Sequence, residues 1–295
     1  MIPQAAQEQY LTQARIAGLT ASSVKRLWRR LGADFTSDWA RVGPQVVSVV
    51  ERGRAAAVVA ALPYTAAVLA ETGQDAPPTG ELNAARFTAT APDGKRVPLA
   101  LEGSIITARQ TVGKGGTVQE ALGAGGDRLT RDVLTMLADT RRQVFHADII
   151  QRPKVDGYAR MLNPPSCSRC IMLAGKWYAW NKGFLRHPRC DCIHIPASES
   201  VAGDFRIDPA DYFNSLSKAE QDATFTKSGA RAIRDGADMN RVENVRLRGL
   251  GTAKANRRYG TPSRLTVDDI YRVAGSRTNA IRLLEQEGYI LPTFG

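Results

Sequence analysis

The spacing of the cysteines constrains this chain more than any other feature of its sequence. All four lie within 26 residues of a 295-residue chain, as Cys167-x2-Cys170 and, 16 residues later, His187-x2-Cys190-x-Cys192. A tight turn brings both members of a Cys-x2-Cys pair to one side, and the His-x2-Cys pair can do the same. Two such pairs around a short β-like stretch suit a tetrahedral Zn²⁺ ion, so we expect this segment to fold around a metal.

Five side chains compete for four ligand positions: Cys167, Cys170, His187, Cys190 and Cys192. Cys167, Cys170 and Cys190 are the first choices, with His187 and Cys192 close behind. His194 is a further candidate, because it would share one face of a strand with Cys190 and Cys192. We expect the ion to be structural, since a catalytic zinc keeps one position open and usually has a base nearby.

Disulfides are the main alternative use of these cysteines. They would require an oxidising compartment, and the start of the chain, MIPQAAQEQY, shows no secretory signal. No run approaches the roughly 18 apolar residues of a spanning helix; the best, 55–62, stops at Pro63. We therefore expect a soluble protein made inside the cell, with neither a membrane nor a small-molecule substrate as partner.

The periodicity of the chain predicts a predominantly helical α+β protein of four regions. Residues 1–75 form a helical domain, with Pro63 splitting its apolar run, and 76–116 form a Pro/Gly-rich linker or a hairpin around 93–94. Residues 117–204 combine a long helix with the zinc-stapled, β-containing core. Residues 205–295 form a basic helical region.

The long helix of the third region has an apolar stripe at steps of four residues, beginning at Leu129. The glycine cluster at 123–126 is a point where this helix can split. Asp139, Arg141 and Arg142 occupy its other faces.

The C-terminal region carries much of the net charge of +11. Residues 227–258 contain nine Lys and Arg against three acids, a net charge of +6 in about a tenth of the chain. A basic, glycine-containing arm is suited to phosphate contacts. The residues predicted to bind nucleic acid are Arg241, Arg246, Arg248, Lys254, Arg257 and Arg258. Helix starts are predicted at the capping boxes Ser217-x2-Glu220 and Thr266-x2-Asp269.

Four sequence blocks carry a resemblance to a known family: CSRCIMLAG…HPRCDCIHIP, LWRRL…DFTSDWARVGPQVVSVV, ARAIRDGADMNRVENVR and RLTVDDIYRVAGSRTNAIRLLEQEGYIL. The chain resembles the MuF-like minor capsid proteins of tailed bacteriophages, particularly those of phages that infect actinobacteria. The cysteine block is its most specific part, and the blocks together cover nearly the whole chain.

The resemblance implies a virion protein that assists head assembly inside the shell, near the portal vertex, after synthesis in the host cytoplasm. The implied partners are the portal or major capsid protein and packaged double-stranded DNA, bound without sequence preference. Some relatives carry a maturation protease, but no Ser/His constellation lies outside the cysteine block, so we expect no enzyme activity. The alternatives are a zinc-containing DNA-binding regulator and a capsid-maturation enzyme.

Overall fold

The computed structural model describes residues 2–183, 187, 190, 192–202, 207–248 and 264–291. The chain divides into two compact units. The first comprises residues 1–163 and 176–206, and the second comprises residues 164–175 and 207–295. Helices make up most of the described residues, together with one three-stranded sheet. The predicted class, a predominantly helical α+β protein with helical N- and C-terminal regions, is confirmed.

Long helices build most of the first unit: α1 Gln4–Trp28, α2 Phe35–Ala61, α3 Tyr64–Glu71, α4 Val97–Gly113 and α5 Val118–Ile150. Helices α1, α2, α4 and α5 share one core, in which Trp28, Val46, Leu101 and Leu129 are buried. Pro63 separates α2 from α3, as its missing N–H predicts.

Helix α5 runs for 33 residues without a break, so the glycine cluster does not split it. The glycines instead make room for a neighbour. A Cβ at Gly125 would lie 2.7 Å from the ring of Trp28 and 2.8 Å from the carbonyl oxygen of Ser104. The Nε1–H of Trp28 donates to the carbonyl of Leu122 at 2.9 Å. Close approach of an indole, rather than a turn, explains these residues.

We expect Gly125→Ala to lower the free energy of unfolding by about 1–3 kcal/mol, because the added Cβ overpacks a rigid backbone oxygen. Gly123→Ala is the matched control, since nothing lies within 4 Å of a Cβ there and alanine favours a helix. Urea unfolding of both variants measures the difference. Equal stabilities would contradict the close packing around Gly125.

The segment 76–116 is not a hairpin. It contains a single 3-10 turn, Ala84–Phe87, followed by helix α4. A turn does form next to Asp93, where the N–H of Ala91 donates to the carbonyl of Lys95 at 2.8 Å, but the flanking residues do not pair as strands. Pro98 lies in the first turn of α4, where a helix needs no N–H donor, and therefore begins the helix that it was expected to prevent.

Arg54 connects α2 to this proline-rich segment. Its side chain is fully buried. The guanidinium donates to the carbonyls of Phe87 at 2.7 Å, Thr88 at 3.3 Å and Thr90, and Nε donates to the hydroxyl of Thr140 at 3.1 Å. These three carbonyls are partly buried, and the Arg54 guanidinium supplies each of them with a donor. A segment poor in regular structure is thereby fixed against α2 and α5.

The sheet of the first unit has the order β2-β1-β3, with both pairings antiparallel. Its strands are β1 Gly157–Met161, β2 Trp177–Ala179 and β3 Ile193–Ala197. Tyr158 pairs with Tyr178, and Arg160 pairs with His194. Apolar side chains of β1 and β3 form a second core with Phe145 of α5. The short helix α7, Glu199–Ala202, follows β3.

The second unit is built of short helices around a core that includes Val242, Ile270, Leu284 and Tyr289. They are α6 Ser168–Met172, α8 Pro209–Ser215, α9 Lys218–Phe225, α10 Lys227–Arg234, α11 Met239–Arg248, α12 Val267–Val273 and α13 Arg277–Gln286. The capping box of Ser217 and Glu220 forms as predicted, and the hydroxyl of Thr266 caps α12.

One helical segment of the described residues, Phe35–Glu71, is long and apolar enough to cross a membrane by length and composition, with a mean hydropathy of 1.5. Its apolar residues are not consecutive, so a count of uninterrupted apolar runs does not reveal it. Half of its most apolar window is buried inside the protein, where Val46 and Val50 contribute to the first core. Core helices of soluble proteins meet the same criterion, so the segment is weak support for a membrane span.

Candidate metal centre

The first ligand pair lies on a single helical turn. Cys167 occupies the N-cap position of α6, and Cys170 follows three residues later within the helix. Residues three apart lie on the same face of a helix, so both sulfur atoms point to one side. Cys170 is 4% exposed, whereas Cys167 is exposed. The pair thus has one ligand inside the protein and one at its surface.

The second ligand segment lies just before β3. The backbone N–H of Cys190 donates to the carbonyl of His187 at 3.0 Å, which closes the expected turn. Cys190 and Cys192 are both buried, at 2% and 0% exposure. Cys192 directly precedes β3, so the sheet fixes its position.

Among the described residues, the five predicted ligands fall into two overlapping groups that could hold a metal ion. Cys167, Cys170 and His187 offer ligand atoms that all lie within 4.8 Å of one another, and Cys170, Cys190 and Cys192 do the same. Each group can hold a metal ion. Cys170 belongs to both groups, which makes it the central residue of the cluster.

His194, the further candidate, belongs to neither group. Its ring lies 4.0 Å from the ring of Tyr158, centroid to centroid, and it is fully enclosed. Burial, reinforced by the positive charge of Arg142, holds the pKa of His194 well below its usual value. The side chain is therefore a neutral core histidine of the sheet.

Two buried arginines, which sequence reasoning missed, hold the segment of Cys190 and Cys192. Arg160 of β1 is fully buried, and its Nη2 donates to the Cys190 sulfur at 3.2 Å. Arg142 of α5 is 5% exposed and donates to the carbonyls of Cys190 and Cys192, the latter at 3.0 Å through Nη2 and 3.1 Å through Nε. A guanidinium beside sulfur favours the thiolate, the form that binds metals.

The charged residues of α5 were expected on helix faces away from its buried apolar stripe. The buried position of Arg142 corrects that expectation. Asp139, Arg141 and Arg142 are 7%, 4% and 5% exposed, and Arg142 also pairs with Asp139 at 2.8 Å. Nothing in the apolar periodicity marks these positions. A clue to their burial was their position on the long helix, just before the cysteine segment. Thiolates in that segment would need a cation nearby.

The donor set fits a soft, tetrahedral metal ion. Thiolate sulfur and imidazole nitrogen suit zinc and disfavour magnesium or calcium, which take oxygen ligands. The hydrogen bond from fully buried Arg160 to a cysteine sulfur fits an anionic site, because a buried cation is costly without a negative partner. Zn²⁺ bound by three or four thiolates carries a net negative charge, which this guanidinium would offset.

A buried carboxylate supports the first ligand turn within the second unit. Glu243 of α11 is 0% exposed and accepts a hydrogen bond from the hydroxyl of Ser168 at 2.6 Å. Arg246 donates to Glu243 through Nε at 2.8 Å and to Ser168 at 3.0 Å. Ser168 lies between the two cysteines of the pair, so this network fixes α6 from its N-terminal side.

The predicted nucleic-acid ligands are therefore not equivalent. Arg246 is used by Glu243, and Nη1 of Arg241 donates to the carbonyl of Gly288 at 2.5 Å. Arg248 ends α11, but its side chain is outside the described structure. Lys254, Arg257 and Arg258 lie outside the described residues altogether.

Comparison with known proteins gives one match. A family profile described as VG15 protein matches residues 1–219, which include all five candidate ligands. No curated protein and no solved structure matches the chain.

Proposed function

The chain belongs to the VG15 protein family, and on that premise we propose that it is a minor structural protein of a tailed-phage virion. The family match over residues 1–219 is the observation that carries this proposal, because the family is phage-associated. The resemblance of the four sequence blocks to MuF-like proteins supports the finer assignment. The protein would act inside the head near the portal vertex, after synthesis in the host cytoplasm.

The proposed cofactor is one structural Zn²⁺ ion. Four of the five side chains Cys167, Cys170, His187, Cys190 and Cys192 would hold it. The burial of three cysteines and the arginine contacts to the segment of Cys190 support this role. When bound, zinc would stabilise the ligand segments, and the chain's own residues would keep the thiolates ionised and oriented. No catalytic step is part of this proposal.

The proposed partners are the portal or major capsid protein and packaged duplex DNA. The net charge of +11 supports contact with a polyanion, since each phosphate contact releases counterions and gains affinity without reading sequence. Arg248, Lys254, Arg257 and Arg258 remain the C-terminal candidates. Arg241 and Arg246 belong to the same proposed set, and each also has an internal acceptor.

Quantitative mass spectrometry of purified, DNA-filled particles tests this function. We expect the chain to be present in a reproducible ratio to the portal protein, and in far fewer copies than the major capsid protein. A minor structural component has to remain in washed particles, whereas a regulator or an assembly enzyme does not. Empty particles from the same preparation are the control for loosely bound protein.

Absence from mature particles would contradict the proposed function. A sequence-specific regulator would then be indicated by a preference above about a thousandfold for one DNA site. A maturation enzyme would be indicated by altered processing of capsid proteins when the chain is deleted.

A further inference from the structure

Four exposed cations crowd the C-terminal end of α1: Lys25, Arg26, Arg29 and Arg30. The side-chain partners of Arg26 and Arg30 are neutral, with Arg26 donating to the hydroxyl of Ser23 and Arg30 to the amide oxygen of Gln45, each at 2.8 Å. Among the described residues none of the four forms an ion pair. The negative end of the helix dipole offsets part of their mutual repulsion.

The carboxylates that follow this surface in sequence are already engaged. Asp34 caps α2 by accepting two backbone N–H groups at 3.1 Å. Asp38 accepts the N–H of Gly32 at 2.6 Å and pairs with Arg41 at 2.8 Å. The Gly32 hydrogen bond and Arg41 lower the pKa of Asp38, so it stays ionised and committed. These two carboxylates therefore do not neutralise the four cations, and the surface that the cations form remains positively charged.

The arrangement of the four cations suits contact with a phosphate backbone. The four residues span about 7.5 Å along the helix axis and an arc of about 140° around it, so their long side chains reach one partner from one side of the helix. The apolar face of the same turns is occupied, since Val24, Trp28 and Leu31 are buried in the first core. A helix that inserts into a lipid surface needs that face free. The arrangement favours a polyanion that is bound by charge alone.

The contrast with the second unit strengthens the case. Several of its arginines have nearby partners: Arg231 lies over the ring of Tyr271, Arg234 pairs with Asp222 and Arg246 pairs with Glu243. Cations held in this way give little to an incoming phosphate, because the existing contact has to be broken first. The sequence placed the densest charge at 227–258, but four exposed cations without an ion pair among the described residues lie together at the end of α1.

We propose that Lys25, Arg26, Arg29 and Arg30 form a contact surface for the phosphates of duplex DNA. The inference rests on the proposed function in that DNA is the partner; it adds the site, in the first unit rather than the second. Phosphate contacts carry no sequence information, so we expect binding there to be independent of sequence.

The test compares the salt dependence of binding to a 30-base-pair duplex of arbitrary sequence, using the full chain. We expect the slope of log affinity against log salt to become shallower by about 3.6 in a patch variant, since each phosphate contact contributes about 0.9. A fourfold rise in salt then costs the wild type roughly 150-fold more affinity than the variant. The patch variant is Lys25→Gln/Arg26→Gln/Arg29→Gln/Arg30→Gln.

A control variant removes the same net charge from exposed, scattered positions of the first unit: Arg52→Gln/Arg86→Gln/Arg96→Gln/Lys114→Gln. It should keep the wild-type slope, which separates a local contact from a general charge effect. Circular dichroism and melting establish that each variant is folded. If the patch variant does not fold, the pair Lys25→Gln/Arg29→Gln should lower the slope by about 1.8.

Three outcomes would overturn the proposal. A patch variant with the wild-type slope, or a control variant with an equal loss, would show that these cations are not a DNA surface. Tighter binding to vesicles of 30% phosphatidylserine than to DNA, lost in the patch variant, would assign the surface to lipid. A wild-type chain that binds no DNA would refute the DNA contact of the proposed function itself, while its count in virions stands separately.

Discussion

Replacing Cys170 by serine should remove the metal ion and unfold the ligand segments. Cys170 is buried and belongs to both three-ligand groups, so its loss leaves each group with only two ligands. Structural zinc contributes roughly 10–16 kcal/mol in small metal-dependent domains. We expect metal content to fall from about one ion per chain to less than about a tenth, and melting to fall by roughly 10 °C or more.

Cys167→Ser is the internal comparison, because Cys167 is exposed and belongs to one group only. Cys167→Ser should retain more metal and a higher melting temperature than Cys170→Ser. Elemental analysis gives the metal content, and calorimetry with and without a chelator gives the stability. A chelator should destabilise the wild type and leave Cys170→Ser unchanged. Retained metal and an unchanged melting temperature in Cys170→Ser would refute the structural metal centre.

Arg54→Met should be among the most destabilising substitutions outside the metal centre, at about 3 kcal/mol or more. Burial lowers the pKa of Arg54, which means that the charge is held inside at a cost. Methionine relieves that cost but leaves the carbonyls of Phe87, Thr88 and Thr90 without their donor. An unsatisfied buried group costs about 1–3 kcal/mol, so we expect the loss of donors to three part-buried carbonyls to outweigh the relief.

Arg52→Met is the matched control, because Arg52 is exposed two residues away on the same helix and contacts Ser48. It should change the free energy of unfolding by less than about 0.5 kcal/mol. Arg54→Lys should recover little, since an ammonium group does not reproduce the fork of a guanidinium. Denaturant unfolding of the three variants measures these differences. A stable Arg54→Met protein would show that the carbonyls find other donors.

The sequence was most informative where one short-range rule decides the structure. The break at Pro63, the capping box at Ser217 and the predominance of helix follow from local chemistry. The spacing of the cysteines likewise picked out the residues that the fold brings together. These features depend on neighbours a few residues apart, which a sequence displays directly.

Long-range contacts account for what the sequence did not reveal. Pro98 and Gly94 suggested a linker, yet α4 begins at Val97 because α5 offers a core to pack on. Arg142 and Arg160 look like surface charges until the carbonyls and sulfur of the cysteine segment are placed beside them. Each of these two arginines contacts a residue that lies 30 or 50 positions away along the chain.

The unbroken course of α5 has a consequence for how the first unit loses its order. Leu129 and Val133 of this helix contribute to the four-helix core, and Val144 and Phe145 contribute to the core beneath the sheet. A helix of 33 residues extends about 50 Å, and a single ladder of backbone hydrogen bonds joins the two cores. We therefore expect damage to either core to reach the other through the helix, so that the two cores unfold as one cooperative unit.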